Sequence, residues 1–432
     1  MKSGKVTHFS DVQEIAIYLD PLFEKEQEKI AYLYVKLLNK HCRFIESLDE
    51  ADIAITFAEI STTSFVITEM KAVVINAANS LSAFRGAMYL AKKIRTGDEI
   101  EFGTIHEVIA ERIVMIDIGR KYFSPIGLHQ ILEEMAFNGC NFLQLHFSED
   151  TGFRIESSRH PQLVSEKFLT KKEVTELIRY AAYLHIEIIP DIDTPGHMAH
   201  VLKDFPQWQL TKEHSLLQLQ KVPSALDITN EHAVTFALSL YQEFMDLFVA
   251  SRYFHIGADE FVDFNQFEQY PTLRNDGIRK FEAYVNTVAT FVSRHGFIPR
   301  VWNDAFLRSG KNTTLTKDIE ITYWTKWQKE MAPVQRFLDE GYSVVNVNDN
   351  YLYYVLGENA GYIYPTAEKI KKEWQPTLFA SKQRISIDQF DKIKGISLAV
   401  WCDLPEAKDE KAIIEELKEL MEGFSFHFYD VV

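Results

Sequence analysis

From Arg112 onward the chain repeats one pattern: a short run of apolar, strand-forming residues followed by a longer stretch with helical periodicity. The runs begin near Arg112, Asn141, Ile186, Tyr253, Ile298, Ile319, Ser343 and Ile396, which makes eight. Several of the intervening helices carry start and stop signals. Ser124-Pro125 supplies an N-cap and a proline at the first helical position, Thr170 with Glu173 makes a capping box, and Asn138-Gly139 is a stop. The fifth helix, between Phe306 and Glu320, looks short or missing. Eight strands, most of them followed by a helix, predict a parallel (β/α)8 barrel of the TIM type rather than an open doubly wound sheet.

Such a barrel takes about 250 residues, and the chain has 432. The surplus lies ahead of it. Ala51–Phe57 and Ala72–Ile75 have the composition of strands, and Pro21–Asn39 and Ser80–Arg95 the periodicity of amphipathic helices. Gly97-Asp98 breaks the second helix, and a short charged strand leads to Glu111. The expected organisation is a small α/β domain over residues 1–108 and a catalytic barrel over 109–432. One long irregular insertion is expected, from Lys203 to Thr229.

The net charge of −16 argues against nucleic acid and against an anionic membrane surface, since phosphate recognition needs clustered Lys and Arg. No stretch of about 18 apolar residues is present. The segment Met1–Glu14 has no apolar run after its lysines, and the three cysteines, Cys42, Cys140 and Cys402, are too widely spaced for a disulfide framework or a zinc site. A cytoplasmic location is the corresponding expectation.

In a barrel of this kind the chemistry sits where strands end. Here the ends read Asp117-Ile-Gly-Arg120, His146-Phe-Ser-Glu149-Asp150, Asp191-Ile-Asp193-Thr-Pro-Gly-His197, His255-Ile-Gly-Ala-Asp259-Glu260, Trp302-Asn-Asp304, Tyr323-Trp324, Asn350-Tyr351 and Trp401-Cys-Asp403. An aspartate at one strand end is commonly a helix cap, and a tryptophan there is commonly core. Eight such ends on one rim, mixing carboxylates, histidines, an arginine and tryptophans, suit a sugar, whose apolar face stacks and whose hydroxyls need partners. Asp193 and His197 have the spacing of two zinc ligands, but Thr-Pro-Gly between them breaks any helix, so neither a metal nor a cofactor is expected.

These strand ends resemble the motifs of family 20 β-N-acetylhexosaminidases. HIGADE at 255–260 is similar to that family's H-x-G-G-D-E, and IIPDIDTPGH at 188–197 to its P-E-x-D-T-P-G-H. MIDIGRKYF at 115–123 and HFSEDTGFRIES at 146–157 resemble its first two strand-end motifs. VWNDAF, YW, NYLYY and AVWCD follow in the family's order, and 65–94 is similar to the end of the domain that precedes the family's barrel.

The resemblance implies a substrate-assisted hydrolysis of glycans ending in β-linked N-acetylhexosamine, with the 2-acetamido carbonyl oxygen as nucleophile and an oxazolinium intermediate. It assigns Glu260 as general acid and then base, and Asp259 as the acceptor that orients the acetamido N–H. Arg120 resembles the arginine that holds O3 and O4, Trp302, Trp324 and Trp401 the aromatic walls, and Tyr351 the tyrosine that bonds the acetamido carbonyl. Asp193, His197 and Glu149 resemble the groups that orient the catalytic pair. Some positions depart from the pattern: Glu149 stands for Asp, Phe153 for Trp, Ala258 for Gly, Tyr353 for Asp or Asn, and Asp403 for Glu. Tyr353 and Asp403 would face the sugar's O4 and O6, so they bear on specificity. A disaccharide-releasing glycosidase would favour long open loops, and a non-catalytic sugar-binding protein would have lost Glu260 or Tyr351. The chain is compact and keeps both residues.

Overall fold

The computed structural model describes Phe9, residues 12–215 and residues 218–432. Eight parallel strands close on themselves: β1 (Glu111–Asp117), β2 (Phe142–His146), β3 (Glu187–Thr194), β4 (Tyr253–Gly257), β5 (Ile298–Trp302), β6 (Glu320–Tyr323), β7 (Val344–Asn346) and β8 (Ile393–Trp401). Each pairs with its neighbour in chain order, and β8 pairs with both β7 and β1, which completes the ring. A further short strand, Tyr353–Val355, pairs with the end of β8. Burial on both faces explains why these runs are almost continuously apolar rather than alternating.

The helix signals hold. Ser124 accepts from the Gly127 amide at the start of α1 (Pro125–Asn138), and Gly139 ends it in the left-handed region. Thr170 and Glu173 form a reciprocal capping box on α2 (Lys171–Tyr183). The connection after β5 has a three-residue 3-10 turn, Arg308–Gly310, where a barrel helix would stand. The segment expected as an irregular insertion is mostly an antiparallel hairpin, Gln209–Ser215 with Gln218–Leu226. Residues 216 and 217, and most of the stretch 1–14, lie outside the described residues.

The N-terminal part builds a second sheet, in the order His41–Ile45, Glu14–Leu19, Ile53–Phe57, Val73–Ala77, Ser64–Glu69, Gly103–Glu107 and Tyr429–Val431. Its last member comes from the end of the chain, paired antiparallel to Gly103–Glu107. The small domain is thus closed by residues that the division at 108 gives to the barrel. Helix Ser80–Thr96 lies on this sheet and packs against α1.

Two buried layers inside the barrel support the site. At the N-terminal end, the Arg300 guanidinium bonds Glu111 at 2.6 Å and Glu320 at 2.7 Å and lies 3.5 Å from the Tyr253 ring centre. Nearer the other end, the strand register aligns Asp117 with His146, His146 with Asp191, and Asp191 with His255. Asp191 takes hydrogen bonds from Gln144 at 2.7 Å and His146 at 3.0 Å. Although fully buried, its carboxyl is held well below its ordinary range by His255 and His146, which outweigh the effect of burial.

Candidate active site

A cavity of about 470 Å³ opens at the C-terminal rim, within the ~300–1,000 Å³ usual for small-molecule sites. Arg120, Glu149, His197, Asp259, Glu260, Trp302, Trp324, Tyr353, Trp401 and Asp403 all line it. Ten of the twelve residues proposed from the sequence are therefore brought together, drawn from the ends of seven strands and from the short strand beside β8.

Strand β4 ends at Gly257, so Asp259 and Glu260 lie beyond the pleat that would have aimed them at opposite faces. The turn is tight. Gly257, Ala258 and Glu260 all have positive φ, at 73°, 71° and 43°. A Cβ on Gly257 would collide with the Asp193 carboxylate, so this position needs glycine for space as well as conformation. Ala258 and Glu260 adopt a backbone that L-residues disfavour by about 1–2 kcal/mol each, stored where two carboxyl groups must face one substrate.

Asp193 anchors the turn: its Oδ1 accepts from the Ala258 amide at 3.2 Å, and its Oδ2 lies 2.8 Å from His197 Nδ1. His197 Nε2 is 3.3 Å from Glu260 Oε2, and its Nδ1 is 3.6 Å from Asp259 Oδ2. One imidazole thus touches both members of the pair. Glu149 lies 3.5 Å from His197 and takes an ion pair from Arg120 at 2.6 Å. Arg120 is also fixed to Asp117 at 2.9 Å and faces Asp403 at 4.0 Å. Asp304 accepts from the Glu260 amide at 3.1 Å and from the Trp324 indole at 3.2 Å, so one carboxylate ties the catalytic turn to an aromatic wall.

The charges follow from these contacts. Burial pushes the Asp259 carboxyl well up, and Asp193 adds to it. The His197 hydrogen bond draws Glu260 down against burial. Burial opposes charge on His197, but Glu149 and Asp259 outweigh it and hold the imidazole well above its ordinary value. Glu149 is brought down to about 2 because His197 and His146 overcome the effect of burial. Asp193, His197 and Asp259 offer ligand atoms within 4.8 Å of one another, the spacing of a metal cluster. However, a protonated His197 gives its Nδ1 to Asp193 and has no lone pair there for an ion.

Two proposed residues do not line the cavity. Asp193 stands behind His197 and does not line the cavity. Tyr351 is also outside: it is half-buried against the core, with the Lys369 ammonium 5.0 Å from its ring centre. Of this motif, Tyr353, two residues on, lines the cavity, buried and stacked on Trp324 at 5.8 Å and 2°. The NYLYY motif contains three tyrosines within four residues, and only the pairing of Tyr353 with Ala399 of β8 settles which of them turns inward.

The family model for the glycosyl hydrolase family 20 catalytic domain matches residues 111–413. The chain belongs to glycosyl hydrolase family 20. Its relatives in the family include a lacto-N-biosidase of Bifidobacterium bifidum, 25% identical over 362 residues that cover 81% of this chain and 31% of the relative. The β-hexosaminidase subunit alpha of Bos taurus is 28% identical over 249 residues, 52% of this chain and 45% of that one. The chain thus spans less than half the length of either. Among solved structures, Dispersin B superposes with a TM-score of 0.61 at 26% identity, covering 74% of this chain and 99% of that one. A Bacteroides fragilis β-N-acetylhexosaminidase shares the fold at 18% identity, with a TM-score of 0.72 over 97% of this chain and 87% of its own.

Five cavity residues were not singled out as site residues in the sequence: Asp349, Tyr362, Trp327, Val355 and Ala360. Asp349 follows the seventh strand, where the strand-end rule applies as well as it does to Asp403. Tyr362 and Trp327 lie in loops and carry no periodic signal.

Proposed function

We propose that this chain is an exo-acting β-N-acetylhexosaminidase that releases terminal β-linked N-acetylglucosamine or N-acetylgalactosamine by retaining, substrate-assisted hydrolysis. The observation that carries this reading is the placement of Asp259 and Glu260 side by side past a strand end, facing one cavity walled by Trp302, Trp324 and Trp401.

The 2-acetamido carbonyl oxygen attacks the anomeric carbon and forms an oxazolinium ion while Glu260 protonates the leaving oxygen. Water then opens the ring with Glu260 as base. Asp259 accepts the acetamido N–H and opposes the positive charge that develops, and the Tyr353 hydroxyl holds the carbonyl in line. Without substrate, the tendency runs the opposite way, with burial holding the Asp259 carboxyl up and the His197 hydrogen bond drawing Glu260 down. Binding reverses it. The acetamido N–H favours an ionised Asp259, and a sugar covering Glu260, whose side chain is 49% exposed, displaces water and favours its neutral form. His197, in contact with both, couples their charges.

A second reading, release of a terminal disaccharide, is favoured by Asp403. A side chain one methylene shorter than the family's glutamate leaves room beside Arg120 for another residue's substituent, and the lacto-N-biosidase is similar over 81% of this chain. Hydrolysis of aryl β-N-acetylglucosaminide, β-N-acetylgalactosaminide and a β-linked disaccharide glycoside separates the two readings. The first expects turnover of the monosaccharides, competitive inhibition by a thiazoline analogue of the intermediate, and a ~10²–10⁴-fold loss in Glu260→Gln on substrates with poor leaving groups. Equal cleavage of a β-glucoside without the acetamido group would overturn it.

A further inference from the structure

The short strand Tyr353–Val355 turns alternate residues inward, and both Tyr353 and Val355 line the cavity. It therefore offers the substrate one hydroxyl and one apolar side chain. The carboxylate on this side of the cavity comes from elsewhere, from Asp349 just past the end of β7.

Asp349 is held in place. Its amide donates to the Trp324 carbonyl at 3.0 Å. The asparagines beside it pin the loop, with Asn348 donating to Leu378 O at 2.9 Å and accepting from the Asn350 amide at 3.0 Å. Thr325 donates to Asp349 Oδ2 at 2.7 Å, and the Tyr362 phenol donates to the same oxygen at 3.3 Å. Oδ1 has no hydrogen-bond partner, although the residue is only 8% exposed. No cation among the described residues compensates it. Burial raises the carboxyl to about 6 against both hydroxyls. A buried carboxyl with an unpaired oxygen is costly to keep in an aromatic wall unless something donates to it.

Within the function proposed above, the other polar positions of the substrate have partners. Glu260 serves the glycosidic oxygen, Asp259 and Tyr353 the acetamido group at C2, and Arg120 and Asp403 the hydroxyls at C3 and C4. We infer that Asp349, held by Thr325 and Tyr362 at the cavity wall, is a specificity-determining residue that accepts a hydrogen bond from a glycan hydroxyl. That hydroxyl is either the C6 hydroxyl of the enclosed sugar or one on the leaving sugar. Both present the same chemistry, a neutral O–H donor to a carboxylate. The second source has a landing place in Trp327, which lines the cavity and is 58% exposed.

The test compares wild type, Asp349→Ala and the near-isosteric Asp349→Asn on three substrates: an aryl β-N-acetylglucosaminide, its 6-deoxy analogue and N,N′-diacetylchitobiose. A hydrogen bond to a charged acceptor predicts a drop of about 10- to 100-fold in kcat/KM on substrates that present the hydroxyl. With C6 as the source, Asp349→Ala loses activity on the first and third substrates and matches wild type on the 6-deoxy analogue. With the leaving sugar as the source, only the chitobiose reaction falls. Asp349→Asn, which keeps the shape and an acceptor oxygen but no charge, loses less than Asp349→Ala and on the same substrates. An equal loss on all three substrates, or none on any, overturns the assignment. A wild-type chain inactive on all three overturns the hexosaminidase reading itself and the Asp349 assignment with it.

Discussion

Replacing Tyr353 and Tyr351 singly by phenylalanine tests which of two neighbouring tyrosines serves the reaction. Tyr353 is 5% exposed and lies flat against Trp324. Phenylalanine keeps that stack and removes only the hydroxyl that would hold the acetamido carbonyl. Loss of one preorganised donor at a developing charge costs about 10²–10³-fold in kcat, or about 2.7–4 kcal/mol. KM should move much less, because the bond tightens on the way to the intermediate. Tyr351 lies outside the cavity, so Tyr351→Phe should leave kcat within about twofold. Losing one buried hydroxyl changes stability by about 1 kcal/mol, a shift of a few degrees at most for a chain of this size, so thermal melts of both variants serve as the folding control. The assay is steady-state hydrolysis of an aryl β-N-acetylglucosaminide, with kcat and KM resolved. A kcat loss in Tyr351→Phe that equals or exceeds the loss in Tyr353→Phe would refute the assignment of the inward-facing residue. So would less than a threefold effect in Tyr353→Phe.

Kinetic comparison of the gluco and galacto aryl substrates should give kcat/KM values within about tenfold, roughly 1.4 kcal/mol, because the short Asp403 leaves slack at the 4-hydroxyl. Asp403→Glu should then shift the ratio towards the gluco substrate. At the far end of the barrel, Arg300→Met leaves Glu111 and Glu320 buried without their cation. Denaturant melts should show a loss of about 3–5 kcal/mol with kcat/KM per folded molecule nearly unchanged. Acid sensitivity should follow Glu149, whose folded-state carboxyl is pulled from its ordinary value of 4.5 to about 2. Its contribution to stability is complete above about 4.5 and is lost as the pH falls towards 2. Glu149→Gln should therefore flatten the acid limb of a stability-against-pH curve, and an unchanged limb would exclude this carboxylate as its source.

The eight strand positions, the caps at Ser124, Thr170 and Gly139, and the missing fifth helix were all legible in the sequence. Each is set by local physics: an apolar run of strand length, a side chain that satisfies an orphan amide, a glycine that tolerates positive φ. The same is true of Asp259 and Glu260, whose place after Gly257 follows from where an apolar run stops. Other features depend on residues far apart in the chain. Tyr353 rather than Tyr351 faces the cavity because its strand pairs with Ala399, and a two-residue period cannot choose between positions two apart. Strand Tyr429–Val431 completes the small sheet across more than three hundred residues of chain, and no local pattern announces such a return. Asp349 meets Tyr362 and Thr325 only through the ends of separate elements. Local sequence thus decided which elements form and where the chemistry begins. The closing of the barrel decided which side chains share the cavity, because contact between distant strand ends depends on register and packing of the whole ring.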